Sequence, residues 1–328
     1  RCTNWDDEDN GVIGNGFIWP VQIIEGPNDI LMVSDEGNHS ISSWTKDGEK
    51  IDSWGDYGSA DGELNRPSGI VLDAEGNIVV ADTMNHRIQK FTLEGKFVKE
   101  WGGKGSRNGR FKHPSAIATD KAGTYVYVVD AKNNRIQKFK SDGTWVAKWG
   151  SKGSGNGQFH LQSDWISGGI ATDGDGNVYV VDRGPYCRYP TGVDGCGGNH
   201  RVQKFDADGN FLLSWGGFAG TDKSAWPDGK FFSPSGIATD SANNVYVVDS
   251  GRNLVQKFTS SGTFVSKWGT DKIYGGSGRY SRGASGTTKG AGVFNQARGI
   301  AIDSDDNVYV ADSGNHRIQV FNSSGTFL

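Results

Sequence analysis

Five Trp-Gly pairs, beginning at Trp54, Trp101, Trp149, Trp215 and Trp268, each close a similar paragraph of sequence. Pro67 opens PSGIVLDAEGNIVVADTMNHRIQKFTLEGKFVKEWG, and close copies begin at Pro114, Pro234 and Ala297. A further copy from Gly168 is interrupted in its middle, and the one from Pro20 has drifted furthest, keeping LMVSDEGNHSISSW. That makes six units. A repeat of this length is one supersecondary unit that cannot bury its own faces, so its copies must stack on one another.

Each unit reads as four short strands. GIATD, NVYVVD, RIQKF and TFVSKW are β-branched or aromatic runs separated by Gly, Asp and Asn turns. No stretch carries a 3.6-residue period long enough to compete. Four-stranded units repeated six times close radially, which also removes exposed sheet edges at the ends of the domain. The expected fold is therefore all-β: one six-bladed β-propeller domain over residues 1–328. Its blades span about 16–55, 67–102, 114–150, 168–216, 234–269 and 297–328. Residues 1–15 are expected to close the ring, with Cys2 to Trp5 completing the outer strand begun by Gly325 to Leu328.

Composition narrows the function classes. An aromatic share of 11% excludes a disordered chain. No apolar run approaches the ~18 residues of a membrane helix. Thirty-four basic against 38 acidic residues give a net charge of −4, which disfavours nucleic-acid binding driven by phosphate neutralisation.

The paragraph P-x-G-I-A-x-D-x-x-G-N-V-Y-V-x-D-x-x-N-H-R-I-Q-x-F, ending in W-G, resembles the NHL repeat, and the resemblance covers essentially the whole chain. It implies the propeller fold, and a function among protein-binding platforms, RNA-binding domains and one branch of zinc lyases. Fold does not choose among them.

Several attractive residues recur with the repeat. Asn-His falls at Asn38-His39, Asn85-His86, Asn199-His200 and Asn315-His316, always at the same turn. The pairs Asp82/Arg87, Asp130/Arg135 and Asp312/Arg317 share one spacing, as does Asp182/Arg201 once the insertion is removed. An Arg fork reaching back to a carboxylate pins a blade. Leu254 in unit five and Ser40 in unit one leave those blades without the device. The acidic turns at Asp173 and Asp303 resemble the start of a calcium loop but lack its Glu and coincide with hairpin turns. His113 and His160, in linkers, are two potential zinc ligands where three or four are needed. No cofactor is therefore expected, zinc and calcium being the alternatives. No nucleophile motif or phosphate loop is present.

Subtracting the repeat leaves an insertion in unit four, RGPYCRYPTGVDGCGG, and the long linkers 150–167, 216–233 and 269–296. Because strands alternate in direction, all of these fall on one face of the disc. Trp165, Tyr186, Arg188, Tyr189, Trp226, Tyr274, Arg279, Tyr280 and Arg282 lie there, outside repeat positions. They read as anchors for a protein, peptide or glycan; equally, they read as side chains packed together to cover long loops. Cys187 and Cys196 bracket eight residues of the insertion and are expected to form a disulfide, which points to an extracellular or cell-surface location. Cys2 is left over for self-assembly or a free thiol. Asn38-His-Ser40 and Asn322-Ser-Ser324 are formal glycosylation sequons.

Three functions follow in order of preference. The first is a binding or assembly scaffold acting through the loop-rich face. The second is a zinc lyase resembling the peptidyl-hydroxyglycine amidating lyases, and the third an RNA-binding domain of the TRIM type.

Overall fold

A computed structural model describes residues 16–161, 168–184, 198–220, 226–270 and 290–328, together with the backbone of 12–13. The chain folds into six four-stranded antiparallel sheets arranged as blades. Innermost strands run Pro20–Glu25, Pro67–Leu72, Pro114–Thr119, Ile170–Thr172, Pro234–Thr239 and Ile300–Ile302. Blade two shows the pattern: Pro67–Leu72 pairs with Ile78–Asp82, then Arg87–Phe91, then the outer strand Phe97–Gly102. The second strand is buried along its whole length, as at Val178–Asp182. A neighbouring blade covers each of its faces, so an unbroken apolar run suits it better than alternation. Outer strands do alternate, as in Phe264–Gly269, because only one of their faces meets another blade.

The core lies between blades rather than within them. One apolar cluster joins Val79 and Ile88 of blade two to Val126 and Val128 of blade three through Phe111, a linker residue wedged between them. Equivalent clusters fill the other junctions, including the last, where Tyr309, Ala311 and Ile318 meet Ile23, Leu31 and Val33 around Phe17. Around the axis the inner strands touch backbone to backbone. A Cβ on Gly299 would fall on the carbonyl oxygen of Val21 in blade one, so only glycine fits there.

Ring closure differs from the expected form. Val12–Ile13, not Cys2 to Trp5, supplies the outer strand of blade six, with Val12 opposite Gln319 and Ile13 opposite Ile318. In blade two the same register places Glu100 opposite Gln89 and Trp101 opposite Ile88. Ile13 therefore stands in the tryptophan's register. The other part of the strand comes from the opposite end of the chain: Phe327 bridges Phe321, and the Leu328 N–H donates to Val320 O at 3.0 Å. Cys2 and Trp5 lie outside the described residues. Among the described residues no helix is long and apolar enough to cross a membrane.

Candidate binding face

The direction of the strands sorts the connections onto two rims. One rim carries the hairpins between first and second strands, and these are short and stapled to one another. The Gly174 N–H donates to Asn243 Oδ1, the Ser241 N–H to Asp306 Oδ1 and the Ser304 N–H to Glu25 Oε2, each in the neighbouring blade. The acidic turns lie here. Asp173 accepts the Asn177 N–H and the Tyr179 hydroxyl, both at 2.8 Å, with Lys204 Nζ 3.5 Å away. Asp303 is held likewise by Asn307 and Tyr309, with Lys46 at 3.2 Å. These carboxylates organise their own turns.

The opposite rim carries the second-to-third-strand turns and the linkers between blades. The insertion leaves at Gly184 and returns at Gly198, and the long linkers leave after Gly220 and Thr270. All of these points lie on this rim.

At this rim each blade buries an aspartate. Asp130 is fully buried and accepts the Lys112 N–H at 2.8 Å, Asn133 Nδ2 at 2.8 Å and Arg135 Nε at 2.7 Å. The same guanidinium donates to the carbonyls of Ser106, Arg107 and Arg110 in the incoming linker. Asp82/Arg87, Asp182/Arg201 and Asp312/Arg317 repeat the ion pair at 2.7–3.0 Å. Burial is the dominant influence on Asp130, Asp182 and Asp312 and raises their pKa, against the opposing hydrogen bonds and arginine charge. The Asp–Arg pairs are thus consumed in fixing linkers to blades.

Blade five corrects the expectation that Leu254 leaves it without the device. Arg252, two residues earlier, is fully buried and donates to the carbonyls of Pro227 at 3.2 Å and Lys230 at 2.9 Å. Those carbonyls correspond to Arg107 and Arg110 in blade three. Its charge also favours the ionised form of Asp249, although burial keeps that group's pKa raised.

Of the proposed recognition residues, Trp226 falls within the described structure, and it is not a free anchor. It is 8% exposed, donates from Nε1 to Gly220 O at 3.0 Å and stacks on Phe232 at 5.4 Å. The Arg252 guanidinium lies 5.3 Å from its ring. Trp226 seals its own linker, so for this residue self-packing is the outcome. Trp165, Tyr186, Arg188, Tyr189, Tyr274, Arg279, Tyr280, Arg282, Cys187 and Cys196 lie outside the described residues.

His113 and His160 occupy different places in their linkers. The His113 ring packs on His86 at 4.8 Å, whereas the His160 N–H donates to Asp182 at 2.8 Å.

The axial mouth holds charges that sequence reasoning missed. Glu36 pairs with Arg66 at 2.8 Å and Arg298 at 3.3 Å, and the Arg298 guanidinium lies 4.7 Å from the Trp19 ring. Beside them, Gln22, Ser68, Ser115 and Ser235 line a cavity of about 40 Å³, enough for a few waters. A signal existed: Arg298 takes the place of Ser68, Ser115 and Ser235 in their blades, and Glu36 that of Thr83, Ser250 and Ser313.

With this geometry in place, comparison identifies the repeat. The family model described as "NHL repeat" matches residues 64–91, 231–258 and 294–321. No curated protein matches the chain by sequence. Among solved structures, an inactive virginiamycin B lyase from Staphylococcus aureus, with quinupristin, aligns at TM-score 0.55 and 15% identity, covering 93% of this chain and 81% of that one. A Bacteroides thetaiotaomicron protein of unknown function aligns at 0.64 and 18%, over 97% and 72%. A chain of the nidogen/laminin complex aligns at 0.51 and 17%, over 76% and 79%. At these identities the likeness is one of fold.

Proposed function

This chain is a six-bladed β-propeller with NHL repeats at 64–91, 231–258 and 294–321, and from that premise we propose that it is a binding scaffold. Its partner is a protein, peptide or glycan that docks on the rim bearing the insertion and the long linkers. One observation carries the reading: extra chain length leaves the blades from that rim, whereas the turns of the other are short and stapled together. Loops on a rigid scaffold are free to vary because the blades do not need them. The recurring Asp, Asn, Arg and Gln side chains are already spent within the blades, which leaves recognition to residues outside the repeat.

The reading extends to an oxidising, extracellular or cell-surface setting, on the strength of Cys187 and Cys196 within one short insertion. The test is a screen of the protein against arrayed glycans and peptides, repeated with 185–197 cut to a turn like that of blade three. Binding lost at an unchanged thermal midpoint supports the scaffold reading; binding retained overturns the assignment of this face. Stoichiometric zinc in the purified protein would favour lyase chemistry instead.

A further inference from the structure

Adjacent blades are joined on the loop-bearing rim by one device with a variable side chain. After each buried aspartate the turn ends on a residue in the left-handed region: His39, His86, Asn134, His200, Asn253 and His316, with φ between 41° and 60°. His and Asn are enriched there among non-glycine residues, and both carry a side-chain acceptor. His39 Nδ1 accepts the Arg66 N–H at 3.0 Å, from blade one to the linker entering blade two. His86 Nδ1 accepts the His113 N–H at 3.1 Å, one junction on. From blade three to four Asn134 Oδ1 accepts the Leu161 N–H at 3.1 Å, and from five to six Asn253 Oδ1 accepts the Gln296 N–H at 2.9 Å.

The remaining two junctions differ. Between blades four and five the Ser233 N–H goes to Asp249 at 2.8 Å. Between six and one the polarity reverses: a carbonyl oxygen can only accept, so His316 Nδ1 donates to Ile18 O.

A ring nitrogen that accepts a backbone N–H cannot carry a proton. Protonating His39 or His86 sets one N–H against another and breaks the junction's hydrogen bond. An asparagine at the same place does not titrate, and His316 keeps its donor in either form. We propose that the junctions on the two sides of blade two are acid-labile latches, while those at Asn134, Asn253 and His316 hold. Acidification therefore loosens blade two, on the loop-bearing rim, before the rest of the ring.

The surroundings set the range. His39 faces Arg66, Asp35, Glu36 and Asp82, with the Tyr57 ring 4.9 Å away. His86 faces Lys104, Lys132, Asp130 and Asp82, with the His113 ring against it. Burial, then the cations, hold both imidazoles below the ordinary value, with the carboxylates opposing. Both latches are therefore closed at neutral pH and open only below the ordinary imidazole value.

Amide hydrogen exchange tests this, with rates corrected for the intrinsic effect of pH. Protection of the Arg66 and His113 amides is expected to fall several-fold as the pH is lowered from 7 to below the ordinary imidazole value, while Leu161 and Gln296 stay constant. In His39→Asn/His86→Asn, which copies the residue of junctions three–four and five–six, all four amides should hold. Uniform loss across the four, no loss at Arg66 and His113, or loss persisting in the variant would each overturn the proposal. Should the double variant not fold, His39→Asn alone serves: Arg66 becomes acid-resistant while His113 remains sensitive, and any other pattern sinks the idea.

Discussion

Gly95, in the outer hairpin of blade two, lies directly beneath the indole of Trp54 in blade one: a Cβ built on it would fall 2.4 Å from Trp54 Cγ. The relation recurs around the ring, with Gly143 under Trp101, Gly209 under Trp149, Gly262 under Trp215 and Gly325 under Trp268. Each Trp-Gly pair thus buttresses the next blade. Gly95 also sits at φ 76°, so alanine there meets both backbone strain and a clash, together costing about 2–4 kcal/mol. Gly76, at φ 77° with open space around its Cα, isolates the strain. Urea unfolding should show Gly95→Ala clearly less stable than Gly76→Ala; equal losses would mean the indole contact carries no weight.

Arg252 and Leu254 supply a swap. In the five other blades the position of Arg252 holds asparagine (Asn38, Asn85, Asn133, Asn199 and Asn315), and four of those blades put arginine two residues later. Arg252→Asn strips the carbonyls of Pro227 and Lys230 of their donor and leaves Asp249 buried without that charge, at a cost on the order of 3–5 kcal/mol. Adding Leu254→Arg restores the common arrangement and is expected to recover at least half of the loss. A double variant no more stable than the single one would show that the two positions are not interchangeable.

These residues also mark how far the sequence could be read. The sixfold pattern, four strands per unit, is local, carried by strand alternation and turn chemistry within each copy, so the blades could be delimited directly. Arg252 was missed because a guanidinium on a long stem reaches the same carbonyls from a neighbouring position, and alignment by column cannot show that. Ring closure at Val12–Ile13 was not legible for a related reason: Trp5 carries the residue that ends the other blades, whereas the ladder needs only a strand in register. The axial trio of Glu36, Arg66 and Arg298 was hidden because the departures of Glu36 and Arg298 from their repeat positions become a cluster only when three blades meet at the axis.

Acid should act with opposite sign on two sets of buried aspartates, those of the hairpin turns and those paired with arginine. Burial is the largest influence on Asp240, yet hydrogen bonds from Asn244 and Tyr246 and the charge of Lys257 hold its pKa below the usual value. The native state therefore binds fewer protons there than the unfolded chain, and stability falls as pH drops below about 5. Asp312 is raised by burial, so it takes up a proton more readily when folded and offsets part of the acid loss. Unfolding free energies between pH 6 and 3 are expected to fall less steeply in Asp240→Asn and more steeply in Asp312→Asn. The same slope in both would remove the distinction.

His200 contributes in a higher range. Burial first, then the charge of Arg183, push it down to about 4, with the Phe232 backbone opposing weakly. Its unfolded form takes a proton near 6.5, so stability declines between about pH 6.5 and 4, by on the order of 3 kcal/mol in full. His200→Asn, matching Asn134 and Asn253, should flatten that limb without touching the fall below pH 4. An unchanged limb would place the titrating group elsewhere.

The composite outer strand of blade six predicts where the chain can be shortened. Val12 and Ile13 pair with Gln319 and Ile318 in the register that other blades fill with a continuous strand, and residues 1–10 lie upstream of that pairing. Removing 1–10 therefore keeps the ladder, and the thermal midpoint should stay within a few degrees of the full chain. Removing 1–14 takes the strand away, leaves the Arg317–Phe321 edge unpaired over most of its length and opens the junction to blade one. The cost is at least about 2 kcal/mol from the lost backbone pairs alone, with concentration-dependent association through the bare edge. Thermal unfolding and sedimentation of the two truncations separate the cases. If the shorter deletion already destabilises the ring as much as the longer one, closure depends on the segment around Cys2 to Trp5 after all.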